Sequence, residues 1–524
     1  MATRYDVIVI GAGHNGLTTA CMLARAGRSV LVLEKRAAVG GLCAPEEFHP
    51  GYHAPGVLHD TAQLRTGLVE DLHLDEHGLD LTAPEPTLFA SPTDGTGILI
   101  DVSDPEATAA EITRVSANDA KRWVEYRAFI ERARDLIEPL LCETPPDLAR
   151  LGSMGLGGLG GMSMSAALRL AQAAQRFGRH DLAGLLRIPP MCVADWLNEW
   201  FESDIVKGGL AHAAIQGMWA GPWSPGTAAN LLLLECTTRQ SVVGGAAGLA
   251  SALQRASRQY GVEVRTESEV ARIRLEDGAV TGVELTSGEE IPARVVASGL
   301  DPRTTFLRLI ERATLPIAFE HRIGVLRSRG TSAKVHLALS RPLEFAAKPG
   351  ERIARARTTG TLDDLERAFD PVKYRGASER PLLDIFVPSV ARPETAPEGA
   401  DVVSLLVHFA PFDLDGGWTS AARERLGDAV VAELERVAPG VSKAIVARQV
   451  LTPADLAERF GIEGGHIHHL EPALDQLVIR PTLDTIRYAT PVRGLFLCGA
   501  GSHPGGGVTC APGALAADAI VAAR

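Results

Sequence analysis

The chain has 524 residues, room for roughly two or three domains' worth of core, and 46% apolar against 22% charged residues marks it as globular. A net charge of −12 argues against a nucleic-acid partner and gives no general attraction to anionic lipid. No uninterrupted apolar run approaches a membrane span (Leu231 to Leu234 is typical of the longest), and the first strand starts within a few residues of Met1, so no signal peptide is expected.

The first element is the β-branched run from Tyr5 to Ile10, which ends in Gly11-Ala12-Gly13-His14-Asn15-Gly16. A helical segment over 17–26 follows, and a second apolar run, Ser29 to Leu33, ends on Glu34. This is the G-x-G-x-x-G dinucleotide fingerprint. Gly11 allows the tight turn, Gly13 lets a pyrophosphate approach the backbone, Gly16 lets helix and strand pack, and the helix N-terminus offers free N–H groups to the phosphates. Glu34 is placed to accept hydrogen bonds from the adenosine ribose. An acid there disfavours the 2′-phosphate of NADP, while NAD and FAD both fit. The chain then runs through Lys35 to the pair Gly40-Gly41 and into a glycine-, proline- and histidine-rich stretch, residues 48–56. A loop able to run beside an extended cofactor suits FAD better.

Residues 105–142 predict a helical stretch, with Trp123, Tyr126, Ile130 and Ile137 at helical spacing. The Gly/Met-rich segment 151–164 reads either as a linker or as a lid over an apolar opening, and its methionines and leucines favour the lid. Helices continue over 165–210, where Trp196, Leu197, Trp200 and Phe201 form an apolar stripe that reads as core. Trp219 and Trp223 are expected either at an apolar substrate channel or as core anchors. Val242-Val243-Gly244-Gly245-Ala246-Ala247-Gly248 opens another helix, followed by the strand 262–265, a small antiparallel meander and a strand over 293–299. It lacks the full glycine pattern and a terminal acid, so a second nucleotide site is not expected.

From 331 the pattern changes to strands at 334–339, 382–387 and 402–409 with a helix over 421–437, which reads as an α+β unit with a mostly antiparallel sheet. In His466-Ile467-His468-His469 no acid or cysteine stands at metal-site spacing, so a pocket-lining or surface loop is expected and no metal. The seven cysteines form no C-x-x-C pair, which removes a dithiol centre and the usual zinc knuckles; scattered reduced thiols in a cytoplasmic protein are the expectation. The chain closes with a buried strand in Gly494 to Gly501, the run Ser502-His503-Pro504-Gly505-Gly506-Gly507-Val508 and an alanine-rich helix.

Together, the Gly11 to Glu34 unit with Gly40-Gly41, the Gly244 to Gly248 turn, and Tyr488-Ala489-Thr490-Pro491 followed by Gly494 to Val508 resemble the FAD-dependent phytoene desaturase and carotenoid isomerase superfamily, within the amine-oxidase-like flavoproteins. The resemblance is strongest to the subgroup named pyridine nucleotide-disulfide oxidoreductase domain-containing protein 2. It spans essentially the whole chain but is weak over about 140–210 and 340–400, the regions that would choose the substrate. It implies an α/β fold: a Rossmann-type FAD domain from residues 1–75, 240–310 and 480–524, interleaved with an α+β substrate domain and helical cap from 76–239 and 311–479. It carries cofactor contacts onto Gly11, Gly13, Gly16, Glu34, Lys35, Gly40, Gly41, Val270, Ser298, Gly499, Gly506, Gly507 and Val508. His503 is weighed as a loop-holding side chain or as a proton carrier at the flavin, with the structural role favoured. The implied activity is desaturation or isomerisation of C–C bonds in a hydrophobic, isoprenoid-like substrate. Hydride would pass to flavin N5, a neighbouring proton would be lost, and oxygen or a quinone would be the electron acceptor. Two alternatives stay open: a flavin amine oxidase, disfavoured by the 5% aromatic content, and a non-catalytic prenyl or lipid binder of the same fold. Peripheral membrane contact is compatible with either, and the oligomeric state is open.

Overall fold

The computed structural model describes residues 5–146, 164–311, 314–477 and 479–523. A parallel sheet forms around the first strand, Tyr5–Ile10, because it is apolar on both faces: Val7 and Val9 pack into one hydrophobic core and Ile8 and Ile10 into another. Val30–Leu33 pairs on one side of it and the strand Glu290–Ser298 on the other; Glu263–Arg265 extends the first side, and Leu495–Leu497 pairs with Glu290–Ser298. The register places Ile10 beside both Leu33 and Ser298, and Ser298 beside Leu497. Four strands from opposite ends of the sequence therefore finish at one edge, where open α/β sheets hold their ligands. At its start Glu290–Ser298 also pairs with Ala279–Leu285, which pairs with Val270–Glu276, giving an antiparallel meander.

The second sheet runs in the order Ile445–Leu451, Ser332–Leu339, Asp401–His408, Leu383–Phe386, Arg355–Thr358, Thr87–Ala90, Gly97–Ile100. Every pair is antiparallel except Arg355–Thr358 with Thr87–Ala90. The helix Ser420–Val437 packs Leu426, Val430, Leu434 and Val437 into the core on one side of this sheet. A separate cluster gathers around Trp123, Tyr126, Trp196 and Phe201, so the apolar stripe near 200 is buried core. No described helix is long and apolar enough to cross a membrane.

The stretch 105–142 is helical as expected, in two helices, Pro105–Thr113 and Ala117–Cys142, because the Ser116 hydroxyl accepts the Asp119 N–H at 3.0 Å and starts a new helix. One expectation needs correction. The stretch after Gly41 is not a plain loop along the cleft. Glu46–His49 and Tyr52–Ala54 pair as a hairpin that leans on the second sheet, where the Tyr52 hydroxyl donates to the Leu339 carbonyl at 3.2 Å. The chain returns at Gly56, where the Val57 N–H reaches the Leu42 carbonyl at 2.8 Å. The lid expected over 151–164 lies outside the described residues, apart from Met164, the first residue of the helix Met164–Phe177.

Candidate cofactor and substrate site

At the shared strand edge Gly11 turns the chain with φ +92°, and Gly13 is the N-cap of the helix His14–Arg25. A Cβ built on Gly16 would lie 2.1 Å from the Gly11 carbonyl oxygen, whereas one on Gly13 meets nothing within 4 Å. Gly16 thus closes helix onto strand, and Gly13 presents bare backbone to open space. Glu34, 6% exposed, is held on this edge: one carboxylate oxygen accepts the Ala12 N–H at 2.8 Å, the other the Arg36 N–H at 3.0 Å. Gly40 donates to the Ala12 carbonyl at 2.8 Å, which brings Gly41 against Gly13. The result is a cleft lined by Gly11, Gly13, Gly16, Glu34 and Gly41, with Gly299, Ala500 and Gly507 also in its lining.

Three polar atoms of this lining are buried without a partner among the described residues: His14 Nε2, Asn15 Oδ1 and His469 Nδ1. Burial pushes His14 and His469 down to about 4, His14 further by His469 and His469 by Arg480, so both imidazoles are neutral at pH 7. Unsatisfied donors and acceptors around a glycine cradle at a helix N-terminus fit a dinucleotide, whose pyrophosphate and sugar hydroxyls would satisfy them.

The other expected contacts lie elsewhere. Lys35 turns outward and donates to the Glu458 carbonyl at 3.2 Å. Val270 is buried in the meander opposite Leu285, and the Ser298 hydroxyl is engaged with Thr305 Oγ1 at 2.8 Å. Gly499 packs on the Gly299 carbonyl, and Val508 is buried. Sequence reasoning missed Arg36, whose guanidinium stacks 4.5 Å over the Phe460 ring, and the wall formed by Phe460, Ile462 and Ile467. It also missed Asp301, which caps the short helix Pro302–Leu307 through the Thr304 N–H at 2.8 Å. Gly299 carried a usable signal, since it ends an apolar strand.

Beyond the glycine run a second cavity opens, of about 160 Å³, with Gly505 and Gly506 in its lining. Leu64, Leu233, Leu234 and Leu477 supply apolar wall; Gln63, Gln216, Asn230 and His468 supply polar positions. A Cβ on Gly506 would lie 2.4 Å from the His468 side chain, so glycine is required there. The histidine run is therefore split, with His469 facing the cleft and His468 the cavity, and no cluster of three metal-ligating side chains occurs among the described residues. His503 lines neither space. Its Nε2 lies 3.2 Å from the Leu140 carbonyl, its own carbonyl accepts the Tyr488 hydroxyl at 3.2 Å, and burial pushes it down to about 4, which is the loop-holding geometry. Trp219 lies under the Arg329 guanidinium at 4.0 Å and edge-on to Phe369, and the indole N–H of exposed Trp223 donates to Asp363 at 3.0 Å; neither lines the cavity.

A buried polar chain crosses the second sheet. Lys334 Nζ is 2.7 Å from His59 Nδ1, His59 Nε2 is 3.3 Å from Asp384, and Arg357 donates to the other Asp384 oxygen at 3.3 Å. Burial drives Lys334 well below the ordinary lysine value. For Asp384 burial acts upward, but Arg357 and then His59 outweigh it and hold the carboxyl well below the usual range. The only sign of this chain in the sequence is a lysine inside a mostly apolar strand, Ser332–Leu339.

With this geometry in hand, comparison with known proteins decides the family. The model of the family described as flavin containing amine oxidoreductase matches residues 16–524. The chain belongs to that family. It is also 33% identical to the rat pyridine nucleotide-disulfide oxidoreductase domain-containing protein 2, over 99% of this chain and 93% of that one. It is 29% identical to a limonene dehydrogenase subunit from Castellaniella defragrans, over 98% and 94%. An oxidoreductase structure from Methanosarcina mazei shares the fold, with TM-score 0.61, 15% identity and 99% and 100% coverage. The protein is an FAD-dependent oxidoreductase, and both the superfamily and the subgroup read from the glycine motifs are borne out.

Proposed function

We propose that the protein desaturates a C–C bond of a hydrophobic substrate, with oxygen or a quinone as the final electron acceptor, or moves a double bond within such a substrate with no net oxidation. One observation carries this reading over amine oxidation: the cavity beside Gly505 and Gly506 has no phenylalanine, tyrosine or tryptophan among its described lining residues, and guanidinium groups of Arg65, Arg239 and Arg480 stand in its wall. An aromatic cage for an amine is missing from that lining, and the positive wall opposes an ammonium ion. The name of the C. defragrans relative, which is that of a limonene dehydrogenase, supports an unsaturated hydrocarbon-like substrate.

When bound, FAD supplies a two-electron acceptor for hydride from carbon. The chain's own part is placement. Gly505 and Gly506 allow close backbone approach at the cavity edge, the leucines exclude water, and the glutamine and asparagine amides orient the substrate. The one carboxylate among the described wall residues, Glu138, is paired with Arg239 and is not a free base. The test is anaerobic mixing of the FAD-loaded protein with unsaturated terpenoids and, separately, with primary amines. Bleaching of the flavin's visible band by terpenoids alone is expected; bleaching by amines alone would establish the amine-oxidase alternative instead.

A further inference from the structure

We propose that the substrate carries an anionic group, a carboxylate or a phosphate ester, held in this cavity by Arg65 and Arg480; the proposal rests on the hydrophobic-substrate reading and narrows it to an amphipathic molecule. Arg480 is 3% exposed. Its guanidinium donates to the carbonyls of Leu470 at 2.9 Å, His468 at 3.0 Å, Ala500 at 3.3 Å and Glu471 at 3.4 Å, and it has no carboxylate partner among the described residues. Four carbonyls fix the fork in place and leave its charge uncompensated; the carboxylate of Glu471 itself is turned to Arg327 and Arg329. Arg65 donates to the Cys142 carbonyl at 2.8 Å and forms no ion pair among the described residues. Asp518 feels the Arg65 charge, but burial outweighs it and holds that carboxyl above its ordinary value. Both guanidiniums line this cavity, and both act on His503 to disfavour its protonation.

The described wall thus holds three arginines and one acid, and that acid already pairs with Arg239. Burying a cation with no counter-charge is strongly unfavourable unless the counter-charge arrives with the ligand, and Arg480 is such a buried cation. The cofactor's pyrophosphate is not well placed to supply it, since its cradle is the cleft at Gly11 to Gly16, on whose wall Gly507 stands, whereas Arg480 packs against Gly505 on the cavity side. Leucines beside the two arginines accommodate an apolar body, so the lining matches a molecule with one charged end.

The experiment titrates the FAD-loaded protein with octanoate, octyl phosphate, octan-1-ol, octylammonium and butanoate, following heat and the flavin spectrum, and repeats this with Arg65→Met and Arg65→Lys. The expected result is that octanoate or octyl phosphate binds at least ~10-fold tighter than octan-1-ol, octylammonium weakest of all. The better of the two anions identifies the head group. Arg65→Met should erase that preference while keeping its flavin, and Arg65→Lys should recover part of it. Equal affinity for octanol and both anions, or an undiminished preference in Arg65→Met, overturns the proposal. Loss of flavin from Arg65→Met also overturns it, by assigning the guanidinium to the cofactor. Equal affinity for butanoate and octanoate overturns the hydrophobic reading and leaves the anion site standing; no binding by any compound overturns both.

Discussion

A Cβ placed on Gly513 would lie 2.2 Å from the carbonyl oxygen of Asn15, so the last helix of the chain, Ala511–Ala522, meets the first helix backbone to backbone. The Thr19 hydroxyl ties the two by donating to the Gly513 carbonyl at 2.8 Å. Asn15 also lines the cofactor cleft, so this contact couples the C-terminal segment to the FAD site. Gly513→Val should force the helices apart at a cost of about 1–3 kcal/mol, lowering Tm and flavin content together. Gly324→Ala, where an added Cβ meets nothing within 4 Å, is the control and should leave both unchanged.

Gly13 and Gly16 should separate cofactor binding from folding. A leucine at position 13 starts from a Cβ in open space on the cleft side, so Gly13→Leu should purify folded, with native circular dichroism, and without flavin. A methyl group at position 16 strikes the Gly11 carbonyl at 2.1 Å, so Gly16→Ala should lower stability by more than about 1–3 kcal/mol. If Gly13→Leu keeps full flavin occupancy, the pyrophosphate does not lie over that residue.

This contrast also marks what a sequence can show. The turn from Gly11 to Glu34 is legible because strand, turn, helix and acid are contiguous, and each glycine's role follows from local backbone geometry. The meeting of Leu495–Leu497 with Ser298 and Ile10 is legible less directly, through a glycine-rich motif that makes sense beside a flavin. The wall they face is less legible: Phe460 ends the helix Pro453–Phe460, Ile462 and His469 follow it in irregular chain, and only the tertiary fold brings the three to the cleft beside Arg36 and Gly41. Lys35 and Trp223 mislead for the converse reason. Their neighbours in sequence face the interior, but an outside partner, the Glu458 carbonyl or the Asp363 carboxylate, draws each away. The Lys334–His59–Asp384 chain joins three distant segments, so a lone charge in a mostly apolar strand is all that shows in advance.

That buried chain yields an asymmetric prediction. Asp384 is the acid that faces Arg357 and His59, and Arg357 has no other carboxylate partner among the described residues. Asp384→Asn leaves a buried guanidinium uncompensated and should cost about 3–5 kcal/mol. Lys334→Met replaces an amine already far below its ordinary pKa with an apolar chain of similar length, losing one hydrogen bond to His59, and should cost only about 1 kcal/mol. Urea unfolding of the two variants measures the difference. Equal losses would show that Lys334 is charged and shares the ion-pair network.

The histidines fix how stability responds to acid. Burial pushes His14, His468, His469 and His503 down to about 4 in the fold, against an unfolded value of about 6.5. Above the unfolded value neither state binds the proton, and stability does not depend on these groups. As pH falls from about 6.5 towards 4, the unfolded chain takes up protons the folded one refuses, so each histidine removes about 1.4 kcal/mol of stability per pH unit. Thermal unfolding should therefore give a flat Tm from about pH 8 to pH 7 and a steep fall between about pH 6 and pH 5, before most carboxylates titrate. His503→Asn removes one of these groups outside both cavities, so its stability curve over that interval should be shallower by one proton's worth. A Tm unchanged down to about pH 5, or an identical slope in His503→Asn, would show that these imidazoles find acid-stabilising partners in the folded protein.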